Sequence, residues 1–183
     1  KNITNADGRT LYMISEDAQT MKFEIMRTDS MNFAQGGTTS VDITIPPMQL
    51  FDEDGNPNHS SIVAYSANTG KTVNIKDAYK EKGFDFTGAK NFDKSTGYRT
   101  QSVLSVPLKN HENDIVGVMQ LINATDKKSG NVISFSDDMQ KQIESLASQG
   151  AVALTNKRLV AELKKLFEAF IKLIATAIDK KSP

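Results

Sequence analysis

The sequence predicts an α+β domain: an antiparallel sheet of five or six strands, flanked by helices and continued by one long C-terminal helix. Three observations predict it. Val103, Leu104, Val106 and Leu108, then Ile115, Val116, Val118, Met119 and Leu121, form two β-patterned runs joined by the short polar connection NHEN, which suits a hairpin. The β-rich runs 8–15 (GRTLYMIS) and 21–27 (MKFEIMR), separated by the turn-like EDAQT, read as a second hairpin near the start of the sheet. From Ser136 a helical pattern runs to about Asp179 without proline, interrupted only by Gly150, which costs about 1 kcal/mol relative to alanine.

The remaining elements follow in chain order. Gly36 and Gly37 open a flexible surface stretch that passes through a short alternating strand at 41–45, ends at Pro46 and Pro47, and runs into the turn cluster FDEDGNPN. Ser60 or Ser61 caps a short helix, IVAYSANT, which Gly70 ends in the left-handed conformation. Residues 72–75 form a minimal strand. Residues 76–100 lack sustained periodicity and read as a long functional loop with room for one helical turn, before strands at 101–109 and 114–123. Ser136 is a good N-cap, with Asp137 and Asp138 placed where the helix dipole favours negative charge.

The two halves of the last helix differ. Residues 139–154 fit packing back onto the sheet. Further on, Leu159, Leu163, Leu166, Phe170, Leu173 and Ala177 alternate at spacings of four and three, and Val160, Phe167, Ile171, Ile174 and Ile178 make an adjacent stripe. So wide an apolar face needs a partner, either a second copy in a dimeric bundle or a following domain.

Composition removes several function classes. The chain has 183 residues, 38% hydrophobic and 24% charged, as an ordinary globular domain does. Its 22 basic and 22 acidic side chains leave no net charge, so nucleic acid and anionic membranes are not expected as partners. The absence of cysteine excludes disulfides, thiolate metal sites, iron–sulfur clusters and cysteine nucleophiles. His59 and His111 are isolated, and the Asp52–Glu53–Asp54 run lacks the downstream glutamate of a calcium loop, so no metal is expected. No signal peptide opens the sequence and no apolar run approaches the roughly 20 residues of a membrane span, so the expected setting is cytoplasmic.

The region 71–123 carries the functional signal. Asp93, Ser95, Thr96, Arg99 and Thr100 crowd around Gly97 and supply acceptors, donors and a cation for a polar ligand. The same Asp93, Ser95 and Thr96 equally suit hydrogen bonds to their own backbone around a positive-φ Gly97. Arg99 suits either a phosphate or carboxylate ligand or a salt bridge to Asp77, Asp85 or Asp93. Tyr65, Tyr79, Phe84, Phe86 and Phe92 suit either stacking on a ligand or packing of core and lid. This reads as a sensor, with its pocket between the loop 77–100 and the sheet face carrying Met119 or Leu121.

The segments PNHSSIVAY, TGKTVNIKDAY, GFDFTGAKNFDKSTGYRTQS, VPLKNHENDIVGVMQLINA and FIKLIATAIDKKSP together resemble a GAF domain of the kind that precedes a bacterial HD-GYP phosphodiesterase domain. The resemblance implies a sensory domain over 1–155, its N-terminal helix truncated. It also implies a linker helix over 156–183 leading to an HD-GYP domain beyond this segment, where metal-dependent hydrolysis of cyclic di-GMP would take place. Subunits would pair as a homodimer through the C-terminal helix at Leu159, Leu163, Leu166, Phe170 and Leu173. The segment is no enzyme on this reading. GAF-type methionine sulfoxide reductases work through cysteine, which this chain lacks.

The DxSTGYRT loop and the GVxxLxN strand are also similar to GAF domains of cyclic-nucleotide phosphodiesterases. That similarity implies a cyclic mononucleotide or another small metabolite as ligand, faced by Asp93, Thr96 and Thr100, by Ile75 and Ala78, and by Gln120. Arg99 completes the expected set. Three positions depart from that pattern: Gln120 stands where many nucleotide binders carry glutamate, Ala124 follows Asn123 in place of lysine, and Phe135 is followed by Ser136. The alternative is a purely structural dimerisation module whose pocket is closed by its own side chains.

Overall fold

Two strands of nine residues, β1 (Ala6–Ile14) and β2 (Thr20–Thr28), form the first hairpin, as their β-rich composition predicts. In the computed structural model, which describes the backbone of residues 5–179 and side chains as far as 176, β1 also pairs with a strand more than 100 residues away in sequence. That strand, β7 (Ile115–Thr125), pairs in turn with β6 (Val103–Lys109), and β6 with β5 (Val73–Ile75). With β3 (Phe33–Gly36) on β2, the main path of an eight-stranded antiparallel sheet runs β3-β2-β1-β7-β6-β5. The two-residue strands β4 (Met48–Gln49) and β8 (Val132–Ile133) pair off this path with β2 and β7. Gly117 lets β1 and β7 approach, since a Cβ there would lie 2.2 Å from the Tyr12 carbonyl oxygen.

Three helices cover the sheet. α1 (Ile62–Thr69) starts where the Ser61 hydroxyl accepts the Ala64 N–H and stops at Gly70, φ 65°. α2 (Thr87–Thr96) lies across the same sheet face, and α3 (Asp137–Asp179) begins on the opposite one. Along α3, Ile143, Ala147 and Ala151 are buried among Leu104, Val106, Leu108 and Leu121. Beyond Thr155 its apolar residues face outward: Leu159 is 49% exposed, Leu163 65%, Leu166 68%, Phe170 56% and Leu173 68%. The side chains of Ala177 and Ile178, and residues 1–4 and 180–183, lie outside the described residues. Among the described residues no helix is long and apolar enough to cross a membrane.

Two elements correct the sequence expectation. Residues 41–45 form no strand: Gly36 and Gly37, both at positive φ, turn the chain so that the Gly36 N–H donates to the Val41 carbonyl, and Pro46 and Pro47 bring no donors. The strand in this region is β3, which precedes the turn. Residues 76–100 hold more than the one helical turn expected, because α2 occupies ten of them. The helix gives no recognisable signal in sequence. It starts at Phe86 without a side-chain cap, and its one buried residue is Asp93, so no apolar periodicity marks it.

Candidate functional site

Along β7, Val118, Gln120 and Ile122 share the face beneath α1 and α2, while Met119 and Leu121 pack toward α3. The expectation that Met119 or Leu121 borders the pocket is therefore corrected, since alternate residues of a strand point to opposite faces. A cavity of about 550 Å³ lies on the Gln120 side. Thr10, Tyr12, Val103, Gln120 and Ile122 form its sheet wall, and Phe23 and Met26 of β2 with Phe33 of β3 close one flank. Ile62 and Val63 of α1, with Phe86, Gly88, Ala89 and Phe92 of and before α2, close the other.

Tyr12 anchors the sheet wall. It is buried, its ring packs on Phe23 with centroids 4.7 Å apart, and its hydroxyl donates to Gln120 Oε1 at 3.1 Å. Burial raises the phenol's pKa above the ordinary tyrosine value. The charged groups on the wall are already engaged. Arg9 forms an ion pair with Asp29, and the Asp85 carboxylate accepts the Thr87 N–H at 2.8 Å, a residue whose hydrogen bonds hold that carboxyl below its usual range.

The loop after α2 is held by Asp93. This buried carboxylate accepts the Tyr79 hydroxyl at 2.9 Å and the Thr100 N–H at 2.7 Å through Oδ2, and the Thr100 hydroxyl at 2.9 Å through Oδ1. Gly97, φ 73°, ends the helix by donating to the Asp93 carbonyl. Burial first, and then the bond to Asp93, raises the pKa of Tyr79. Of the residues expected to face a ligand, Thr100 and Gln120 border the cavity. Ile75 and Ala78 lie buried in the core on the same side of the sheet. Asp93 bonds inward, and the Thr96 hydroxyl donates to the Phe92 carbonyl of its own helix at 2.8 Å. Arg99 lies 3.6 Å over the Tyr79 ring and 3.7 Å from the Asp77 carboxylate, whose pKa is lowered chiefly by the Tyr79 N–H. Phe86 and Phe92 border the cavity, whereas Tyr65 packs edge-on against Phe84 and His59.

Sequence reasoning missed the contribution of the N-terminal strands, Tyr12 above all. It also missed a staple at the end of β7. Asn123, φ 56°, donates through Nδ2 to the Arg99 carbonyl at 2.7 Å and to the Tyr98 hydroxyl at 3.0 Å, and accepts the Gln101 N–H at 2.8 Å. Tyr98 in turn donates to Asp7 at 2.8 Å, so the loop is tied to β1. An asparagine ending a strand motif was the available signal, because asparagine tolerates positive φ and bonds nearby backbone. A second concavity, of about 620 Å³, lies among Lys71, Lys109, Gln140 and Glu144 at the α3 side, but it is more open.

Comparisons with known proteins agree with this architecture. The family model described as GAF domain matches residues 1–154. The dual 3',5'-cyclic-AMP and -GMP phosphodiesterase 11A of Takifugu rubripes is 32% identical over 136 residues, which cover 74% of this chain and 14% of that protein. The dual 3',5'-cyclic-AMP and -GMP phosphodiesterase 11 of Drosophila melanogaster is 33% identical over 116 residues, 63% of this chain and 7% of that protein. The chain thus spans a small fraction of the curated relatives it matches. Among solved structures, the GAF domain of a phosphoenolpyruvate-protein phosphotransferase from Coxiella burnetii superposes with a TM-score of 0.59 at 11% identity, covering 86% of this chain and 76% of that one. The corresponding domain from Acinetobacter gives 0.52 at 18% identity, with 83% and 73% covered. These two likenesses concern the fold. With the family model spanning the sheet, the cavity and the inner half of α3, the chain belongs to the GAF domain family, a regulatory domain rather than a catalytic one.

Proposed function

We propose that this domain is the small-molecule-sensing and dimerising module of a bacterial signalling protein, where it controls an HD-GYP phosphodiesterase acting on cyclic di-GMP. The cavity beneath α1 and α2 carries the sensing part of this reading. Its volume of about 550 Å³ is in the range of small-molecule sites, and its apolar, aromatic walls hold a few convergent polar groups. A cyclic mononucleotide is the first ligand to test. The rings of Phe23, Phe86 and Phe92 suit a purine, and Gln120 and Thr100 offer hydrogen bonds. Ile75 and Ala78 then pack in the core behind the wall, and Asp93, Thr96 and Arg99 stabilise the loop around it.

The outer half of α3 transmits the signal. Two copies pairing through Leu159, Leu163, Leu166, Phe170 and Leu173 would each bury side chains worth about 1.5–3 kcal/mol when fully covered. The paired helices then lead into the HD-GYP domain. One observation favours the simpler reading of a structural dimerisation module: the Asp93 carboxylate and the Thr96 hydroxyl are satisfied within the protein.

Thermal unfolding with and without cyclic AMP and cyclic GMP decides between them. A ligand at 100 times its dissociation constant adds about 2.7 kcal/mol of stability, and Gln120→Leu should reduce the effect. A screen of nucleotides and metabolites that never shifts the transition supports the structural module. Light scattering should show a dimer that Leu166→Asp with Phe170→Asp converts to monomers; an unmutated monomer at micromolar concentration removes the pairing. Cyclic di-GMP hydrolysis by the longer protein, measured with and without ligand, tests the control.

A further inference from the structure

We infer that Tyr12 fixes the amide of Gln120 so that the cavity wall presents hydrogen-bond donors, and that the site thereby selects a guanine-type ring edge over an adenine-type one. This rests on the cyclic-mononucleotide reading above.

The inference begins with burial. Tyr12 is 4% exposed, and among the described residues its hydroxyl has one partner, Gln120 Oε1 at 3.1 Å. A buried O–H needs an acceptor, and the amide oxygen is the acceptor within reach. Turning the amide over would let Nε2 donate to the phenol oxygen but leave the buried Tyr12 O–H without its acceptor, so the network assigns the oxygen toward Tyr12. The anchor itself does not swing, because the Tyr12 ring is packed on Phe23 at 4.7 Å. Burial keeps the phenol protonated well above neutral pH, so it remains a donor.

The oxygen of Gln120 is therefore occupied, and its Nε2, on a residue that borders the cavity, has no partner among the described residues. The wall offers donors at this point. Guanine carries an acceptor, O6, where adenine carries a donor, N6. A ring held among Phe23, Phe86 and Phe92 with this edge toward Gln120 is matched when the edge accepts and opposed when it donates.

Calorimetric titration of cyclic GMP and cyclic AMP tests this on the unmodified chain, on Tyr12→Phe and on Gln120→Leu. The unmodified chain should bind cyclic GMP at least about tenfold more tightly, a difference of about 1.4 kcal/mol. Tyr12→Phe keeps the ring and removes the anchor, so the ratio should fall to within about threefold while circular dichroism stays native. Gln120→Leu removes the amide donors and should likewise bring the ratio to within about threefold, and an unchanged ratio there also overturns the inference. This second variant also decides the matter if Tyr12→Phe does not fold. Equal binding of both nucleotides, preference for cyclic AMP, or a ratio unchanged in Tyr12→Phe overturns the inference and leaves nucleotide sensing intact. Binding of neither nucleotide removes the nucleotide reading and this inference together.

Discussion

The two faces of the sheet are made by the same strands and finished in opposite ways. Toward α3, Leu104, Val106, Leu108 and Leu121 meet Ile143, Ala147 and Ala151, and the two fully buried alanines let the helix lie close. Toward α1 and α2, Val103 and Val118 are covered, but the large rings of Tyr12, Phe23 and Phe86 and the polar Gln120 leave a hollow. α2 buries no apolar residue of its own. It is held by Asp93 and the residues around it, a polar latch in place of a packed stripe. One face thus supplies apolar stability, and the other keeps an open cavity at the cost of packing density.

Substitutions at matched places break this contrast if it is wrong. Leu104→Ala, on the closed face, should cost about 2–5 kcal/mol in urea unfolding, because the lost contacts leave a cavity. Ile122→Ala, on the hollow face, should cost clearly less, about 1 kcal/mol, since its side chain already borders open space. Equal losses would show that the hollow is filled in solution. Asp93→Ala should cost about 1–3 kcal/mol, because the Tyr79 and Thr100 hydroxyls lose their acceptor, and hydrogen exchange should rise first in residues 87–100.

Alkaline titration sharpens the same comparison. Burial raises the phenol pKa of Tyr12, and burial followed by the Asp7 contact raises that of Tyr98. The unfolded chain releases these protons first. Their contribution to stability is therefore fully present below about pH 10 and declines as the pH rises beyond it. Tyr12→Phe should weaken that alkaline dependence, measured as the unfolding midpoint between neutral and high pH. The smallest effect belongs to the rim: Arg99→Ala should cost under about 1 kcal/mol, because its pair with Asp77 is solvent-screened and only its stacking on Tyr79 adds to it.

Much of this fold is legible locally. The hairpin strands alternate, Ser61 and Gly70 bracket α1, and α3 begins at an acidic first turn after Ser136. α2 escapes because its buried residue is a carboxylate, and β3 escapes because the glycine turn after it sends 41–45 away from the sheet. In the site, Thr100 and Gln120 lie in segments whose pattern marks them. Tyr12, Phe23 and Phe33 do not, because no local rule joins residues near the start of the chain to a loop near position 100.

By itself, then, the sequence determined the periods, the caps, the absence of cysteine chemistry and the apolar stripe on outer α3, because these depend on residues a few positions apart. Only the tertiary structure decided which sheet face is hollow, that Asp93 turns inward to Tyr79 and Thr100, and that Tyr12 meets Gln120. The physical reason is the pairing of β1 with β7, which sets Thr10 opposite Gln120 and so brings the neighbouring Tyr12 within reach of that amide across more than 100 residues of chain.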